Sequence, residues 1–118
     1  MIKMLTACLC LLASEAVFAA DQISTTEAPF YTGKDVIACG SLAEVSRFKR
    51  GLYLNMDAAY PKQSVTFVLW ENDIADAVKR LGSVEGLVGT SICAKGTVTE
   101  YNGRSQISMY NAYSLTLP

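Results

Sequence analysis

Three cations and an aromatic ring fall within four residues at Arg47-Phe48-Lys49-Arg50. That composition suits a phosphate backbone with a base stacked beside it. A solvated charged turn has the same composition. Tyr53 and Asn55 follow in Gly51-Leu52-Tyr53-Leu54-Asn55-Met56. If Leu52, Leu54 and Met56 face a core, Tyr53 and Asn55 project to the other side. The tyrosine could then stack a base. The amide could hydrogen-bond a base edge, or only hold a hairpin together. Asp57 is expected on the same face, where it would repel phosphate. Tyr60-Pro61 reads mainly as packing, with Lys62 beside it on the same loop. Trp70 ends an alternating run and reads as a core lid more readily than as a stacking platform. Tyr101 and Arg104 flank Asn102-Gly103 and offer a second aromatic and cation.

Catalytic chemistry has little to work with. The chain contains no histidine, which removes imidazole base catalysis and histidine metal ligation. Glu71, Asp73 and Asp76 cluster, but acids at a helix start account for them. There is no phosphate loop and no zinc-ligand spacing. No catalytic residue, metal site or cofactor is expected.

Short alternating segments must position these residues. Val36 to Val45 predicts a first strand with a bulge or bend at Gly40. Leu52 to Met56 predicts a second, and Val65 to Trp70 a third, with Val65, Phe67 and Leu69 on one face. Ile74, Ala77, Val78 and Leu81 then fall at helical spacing. This predicts a helix over residues 73–81, capped by Asn72 or Asp73 and ended at Gly82. Thr90 to Tyr101 predicts a fourth strand, Asn102-Gly103 a type I′ turn, and Arg104 to Tyr110 a fifth strand. Asn111 to Leu117 is an apolar tail. Residues 20–32 are polar and form a lead-in, with a capping-box pattern at Ser24 to Glu27.

The expected fold class is all-β. Its expected architecture is a five-stranded Greek-key OB-fold barrel with one short α-helix between strands three and four, spanning residues 33–118. Such folds bind across strands two and three, between the loops joining strands one to two and four to five. That location selects Arg47, Lys49, Arg50, Tyr53, Asn55, Lys62, Tyr101 and Arg104.

At 118 residues the chain suits one domain. Residues 1–19 carry Lys3, an apolar run from Leu5 to Ala13 and the Val17-Phe18-Ala19 cleavage pattern of a secretory signal peptide. Glu15 interrupts the run short of the ~20 apolar residues of a membrane span. A periplasmic or secreted location is expected, with no stable membrane span after cleavage. The whole chain has a formal charge of −1, and losing Lys3 with Glu15 leaves that unchanged. General attraction to duplex nucleic acid is therefore not implied. Cys39 and Cys93 remain as one pair in an exported chain, which suggests a disulfide. Two unpaired cysteines stay open, because strand phase puts Cys93 on a face with Lys95 and Thr97.

Several runs carry a resemblance: Gly33-Lys34-Asp35-Val36, Gly51-Leu-Tyr-Leu-Asn55, Tyr60-Pro61-Lys62-Gln63-Ser64-Val65-Thr66-Phe67-Val68-Leu69-Trp70, Leu87-Val88-Gly89 and Gly96-Thr97-Val98-Thr99-Glu100-Tyr101-Asn102-Gly103-Arg104-Ser105-Gln106-Ile107. Together they resemble the short, often secreted bacterial OB-fold nucleic-acid-binding domains over nearly all of residues 20–118. Ser105 stands where that family usually has proline. The resemblance implies a non-catalytic binding module, with single-stranded nucleic acid as partner. The alternative is a binding or assembly protein that recognises a glycan, a small molecule or a protein partner. The paired acids and two arginines of staphylococcal-type nucleases, which use a similar barrel, are not found.

Overall fold

The computed structural model describes residues 20–118; the expected signal peptide lies outside them. The strands are β1 (Asp21–Ser24), β2 (Asp35–Phe48), β3 (Gly51–Met56), β4 (Thr66–Trp70), β5 (Ser91–Tyr101), β6 (Arg104–Ser108) and β7 (Leu115–Thr116). One α-helix, α1 (Glu71–Leu81), joins β4 to β5. The fold is all-β with a short helix.

β2 organises the sheet because its 14 residues serve two partners. Its first half pairs with β5, from Asp35 opposite Thr97 to Ser41 opposite Ser91. Its second half pairs with β3, ending with Phe48 opposite Gly51. β3 pairs with β4, β4 runs parallel to β6, and β6 returns to β5. Five strands thus close a ring, β2-β3-β4-β6-β5. β1 and β7 extend it outside, on β2 and β5.

Period-two alternation fills the ring. Leu52, Leu54, Met56, Val65, Phe67, Leu69, Ile92, Ala94, Val98, Ile107 and Met109 are all buried. Asn102 and Gly103 both have positive φ, as a type I′ turn requires. β2 extends three residues beyond the expected Val45 and carries Phe48 into the sheet.

The register break in β2 falls between Leu42 and Glu44 rather than at Gly40. Gly40 instead stays paired with Ile92, and a Cβ there would overlap the Thr25 side chain. Residues 20–32 supply more than a lead-in: β1 pairs in parallel with β2, and Ile23, Thr25 and Ala28 are buried. The Ser24–Glu27 capping box forms at the head of a 3-10 helix, Thr25–Tyr31.

α1 starts two residues before the expected point. Its N-cap is Trp70, without a side-chain cap, so Asn72 and Asp73 do not cap it. The Glu71 N–H donates to Arg50 O at 2.8 Å, so hairpin pairing leads straight into the helix. Ile74, Ala77 and Leu81 pack on the core, while Val78 is exposed. Arg80 donates to Ala112 O and, at 2.8 Å, to Leu115 O, and lies 5.0 Å from the Tyr113 ring. This holds the tail on the helix.

Cys39 and Cys93 stand opposite one another in the β2–β5 register and form a disulfide across the seam. That pairing is compatible with an extracellular location. No helix among the described residues is long and apolar enough to cross a membrane.

Candidate functional site

The outer faces of β2, β3, β4 and β6 form one continuous surface, and the pairing registers order it into rows. Phe48, Gly51 and Trp70 make the first row. Ser46, Tyr53, Val68 and Ser108 make the second. Glu44, Asn55, Thr66 and Gln106 make the third.

The first two rows build an aromatic end. The Phe48 and Tyr53 rings stack with centroids 4.1 Å apart and planes 9° from parallel. Trp70 meets Phe48 edge-on at 5.9 Å, across the position of side-chain-less Gly51. Trp70 Nε1 donates to Ser108 Oγ at 2.7 Å, and the Arg50 guanidinium lies 5.7 Å from the Trp70 ring. Trp70 is therefore a half-buried member of an outer-face cluster, not a core lid.

The third row opens into a cleft of about 430 Å³ that includes Glu44, Tyr53, Asn55, Tyr60, Tyr101 and Arg104. Arg104 lies 4.9 Å from the Tyr60 ring. Tyr60 and Tyr101 are 62% and 64% exposed, so Tyr60 is available to a ligand rather than committed to packing. The cleft floor is a chain of side-chain hydrogen bonds. Gln63 Nε2 donates to Thr66 Oγ1 at 3.1 Å, Thr66 Oγ1 to Asn55 Oδ1 at 2.8 Å, and Asn55 Nδ2 to Glu44 Oε1 at 2.8 Å. The Tyr60 N–H also donates to Glu44 Oε1, at 3.0 Å. The Tyr60 N–H and the Asn55 amide hold the Glu44 carboxyl below its usual range, so it is ionised at neutral pH.

Four of the expected residues, Tyr53, Asn55, Tyr101 and Arg104, converge on this cleft. Asn55 is only 3% exposed and both ends of its amide are engaged, so it builds the floor rather than reaching freely for a base. Lys49 and Arg50 form the two-residue turn between β2 and β3, at the aromatic end, where they line a shallower depression with Trp70, Glu71 and Asn72. Arg47 ion-pairs with Glu71 at 2.6 Å. Lys62 is exposed on the β3–β4 loop, outside the cleft lining.

Asp57 does not share the face of Tyr53 and Asn55. Its φ of 70° ends the strand alternation. Its carboxylate accepts from Thr25 Oγ1 at 2.6 Å and from Ser64 Oγ. The carboxylates beside the cleft and the shallower depression are instead Glu44 and Glu71. Glu44, Gln63, Thr66 and Gln106 were not among the expected residues. The alternation of Glu44, Ser46 and Phe48 carries the signal for the first, once β2 is extended past Val45.

No family model and no curated protein matches the chain. Solved structures do. An OBody bound to hen egg-white lysozyme is similar at 18% identity, with a TM-score of 0.55, over 86% of this chain and 96% of that chain. A Leishmania major Friedlin chain assigned as an aspartyl-tRNA synthetase is similar at 10% identity, with a TM-score of 0.56, over 87% of this chain and 22% of that chain. A Klebsiella pneumoniae lipoprotein assigned as nucleic acid-binding aligns at 18% identity over 71% of this chain and 73% of that chain, but its TM-score of 0.43 is too low to carry weight. At these identities the likeness is one of fold alone.

Proposed function

We propose that this chain is an exported OB-fold binding module for single-stranded nucleic acid, without catalytic activity. The ring β2-β3-β4-β6-β5, with α1 between β4 and β5, has the strand order of a Greek-key OB barrel. One observation carries the functional reading. The Phe48–Tyr53 stack and the cleft between Tyr60, Tyr101 and Arg104 share one face. Aromatic rings with cations at both ends, Tyr60 and Tyr101 among them exposed, suit unpaired bases that stack while the backbone passes Lys49 and Arg50. Export rests on the sequence of residues 1–19 and is supported by the Cys39–Cys93 disulfide.

Fluorescence anisotropy with labelled short oligonucleotides at low and physiological salt tests this reading. Binding at low salt that weakens with added salt is expected, and no binding at low salt overturns it. A second reading, a glycan, small-molecule or protein partner, is favoured by Glu44 and Glu71. They interrupt the positive potential that a nucleic-acid groove would carry unbroken. Glycan-array binding without oligonucleotide binding would select that reading.

A further inference from the structure

The direction of each hydrogen bond in the cleft floor follows from Glu44. A carboxylate only accepts. Glu44 Oε1 takes the Asn55 Nδ2 and Tyr60 N–H donors. Asn55 must therefore turn Oδ1 towards Thr66, and the Thr66 hydroxyl must donate to it. With its hydrogen so committed, Thr66 Oγ1 accepts from Gln63 Nε2. Gln63 Oε1 is left buried with no partner. A buried acceptor without a donor is disfavoured, and native structures seldom leave one.

The acceptor that the floor presents to the cleft is therefore the second carboxylate oxygen of Glu44, while Gln63 Oε1 stays enclosed beneath it. The Asn55 and Gln63 amides each give one N–H to the relay. A fixed carboxylate bordered by tyrosines suits a ligand with adjacent donors on one planar edge and faces that pack on the rings. Among the bases, guanine has this edge, with N1–H beside the N2 amine. Thymine and uracil place a single N–H between two carbonyls, and adenine and cytosine set an amine beside a ring acceptor. Unpaired bases in single strands expose these edges for reading. The cleft volume of about 430 Å³ is within the range of small-ligand sites.

We propose that the cleft selects guanine, with its N1–H and N2 amine facing the Glu44 carboxylate and its ring beside Tyr60 and Tyr101. The inference rests on the single-stranded nucleic-acid reading above. Its test compares three probes on the unaltered protein: a short oligothymidine, the same strand with one central guanine, and the same strand with hypoxanthine, which lacks the N2 amine, at that place. The guanine strand is expected to bind roughly tenfold tighter than oligothymidine, with hypoxanthine between them. Glu44→Gln removes the charge and, with its carbonyl held by Asn55 and the Tyr60 N–H, puts a donor where the free carboxylate oxygen was, so the ratio of guanine to thymine affinity should fall towards one. Circular dichroism checks that this variant is folded, and the hypoxanthine series needs no variant. Equal affinities for the three strands overturn the inference and leave the nucleic-acid reading standing. So does an unchanged ratio in folded Glu44→Gln protein. No binding of any strand at low salt overturns both.

Discussion

The Arg104 guanidinium lies over the Tyr60 ring at 4.9 Å, joining the start of β6 to the loop between β3 and β4. The pair forms one wall of the cleft while Tyr60 stays 62% exposed. Two segments far apart in sequence thus present a ring and a cation together, as a base next to a phosphate would require.

Tyr60→Ala and Arg104→Ala should therefore weaken oligonucleotide binding more than they weaken the fold. Loss of a stacked ring costs about 1–3 kcal/mol per base, roughly tenfold or more in affinity. Anisotropy titrations should show that loss, while thermal unfolding midpoints stay close to the parent's. A large fall in midpoint with unchanged affinity would assign the pair to folding alone.

Arg47 and Glu71 predict an opposite pair of effects. The ion pair neutralises Arg47, and both partners are more than half exposed. Exposed pairs contribute little to stability. Arg47→Ala should weaken binding at low salt by leaving Glu71 unneutralised beside Lys49 and Arg50. Glu71→Ala should tighten binding at low salt by freeing Arg47. On the proposed single-stranded reading Lys49, Arg50 and Arg104 are the phosphate contacts, so log K against log salt should have a slope of about −2. Salt titrations of the three proteins measure this directly.

The Cys39–Cys93 bridge closes a separation of 54 residues between the strands that complete the ring. The chain-entropy account puts its contribution at about 4 kcal/mol. Cys39→Ser with Cys93→Ser should lower the urea midpoint, and reductant should do the same to the parent. Equal stability with and without reductant would show that the seam holds without the bridge.

Asp35 makes acid stability testable. Thr97 Oγ1 and the Tyr110 hydroxyl each donate to its Oδ1 at 2.6 Å, and they hold its carboxyl below the ordinary value of 3.8. A carboxylate with a lowered folded pKa binds more protons when unfolded. Its contribution is full above the unfolded value and disappears as pH falls through the lower folded value. Asp35→Asn should flatten the loss of stability in that acid range and lower stability at neutral pH. Urea unfolding at neutral and acid pH, compared between parent and variant, reads the difference.

Local pattern made much of this legible. The phases of Leu52-Leu54-Met56 and Val65-Phe67-Leu69 set which side chains face inward, because strand alternation is a property of neighbouring residues alone. Asn102-Gly103 and Gly82 mark their turns for the same reason: each needs a backbone conformation that few residues adopt at low cost. The sequence therefore determined the inward faces and the turns, and with them the outward placing of Tyr53, Tyr101 and Arg104.

Tertiary structure decided the rest. The long β2 serving two partners, the parallel docking of β1, the turning of Asp57 towards Thr25, and the pairing of Arg47 with Glu71 all join residues separated along the chain. No local period encodes them. The relay from Gln63 through Thr66 and Asn55 to Glu44 exists only once β2, β3 and β4 lie in register, and that register fixes the Glu44 carboxylate at the cleft.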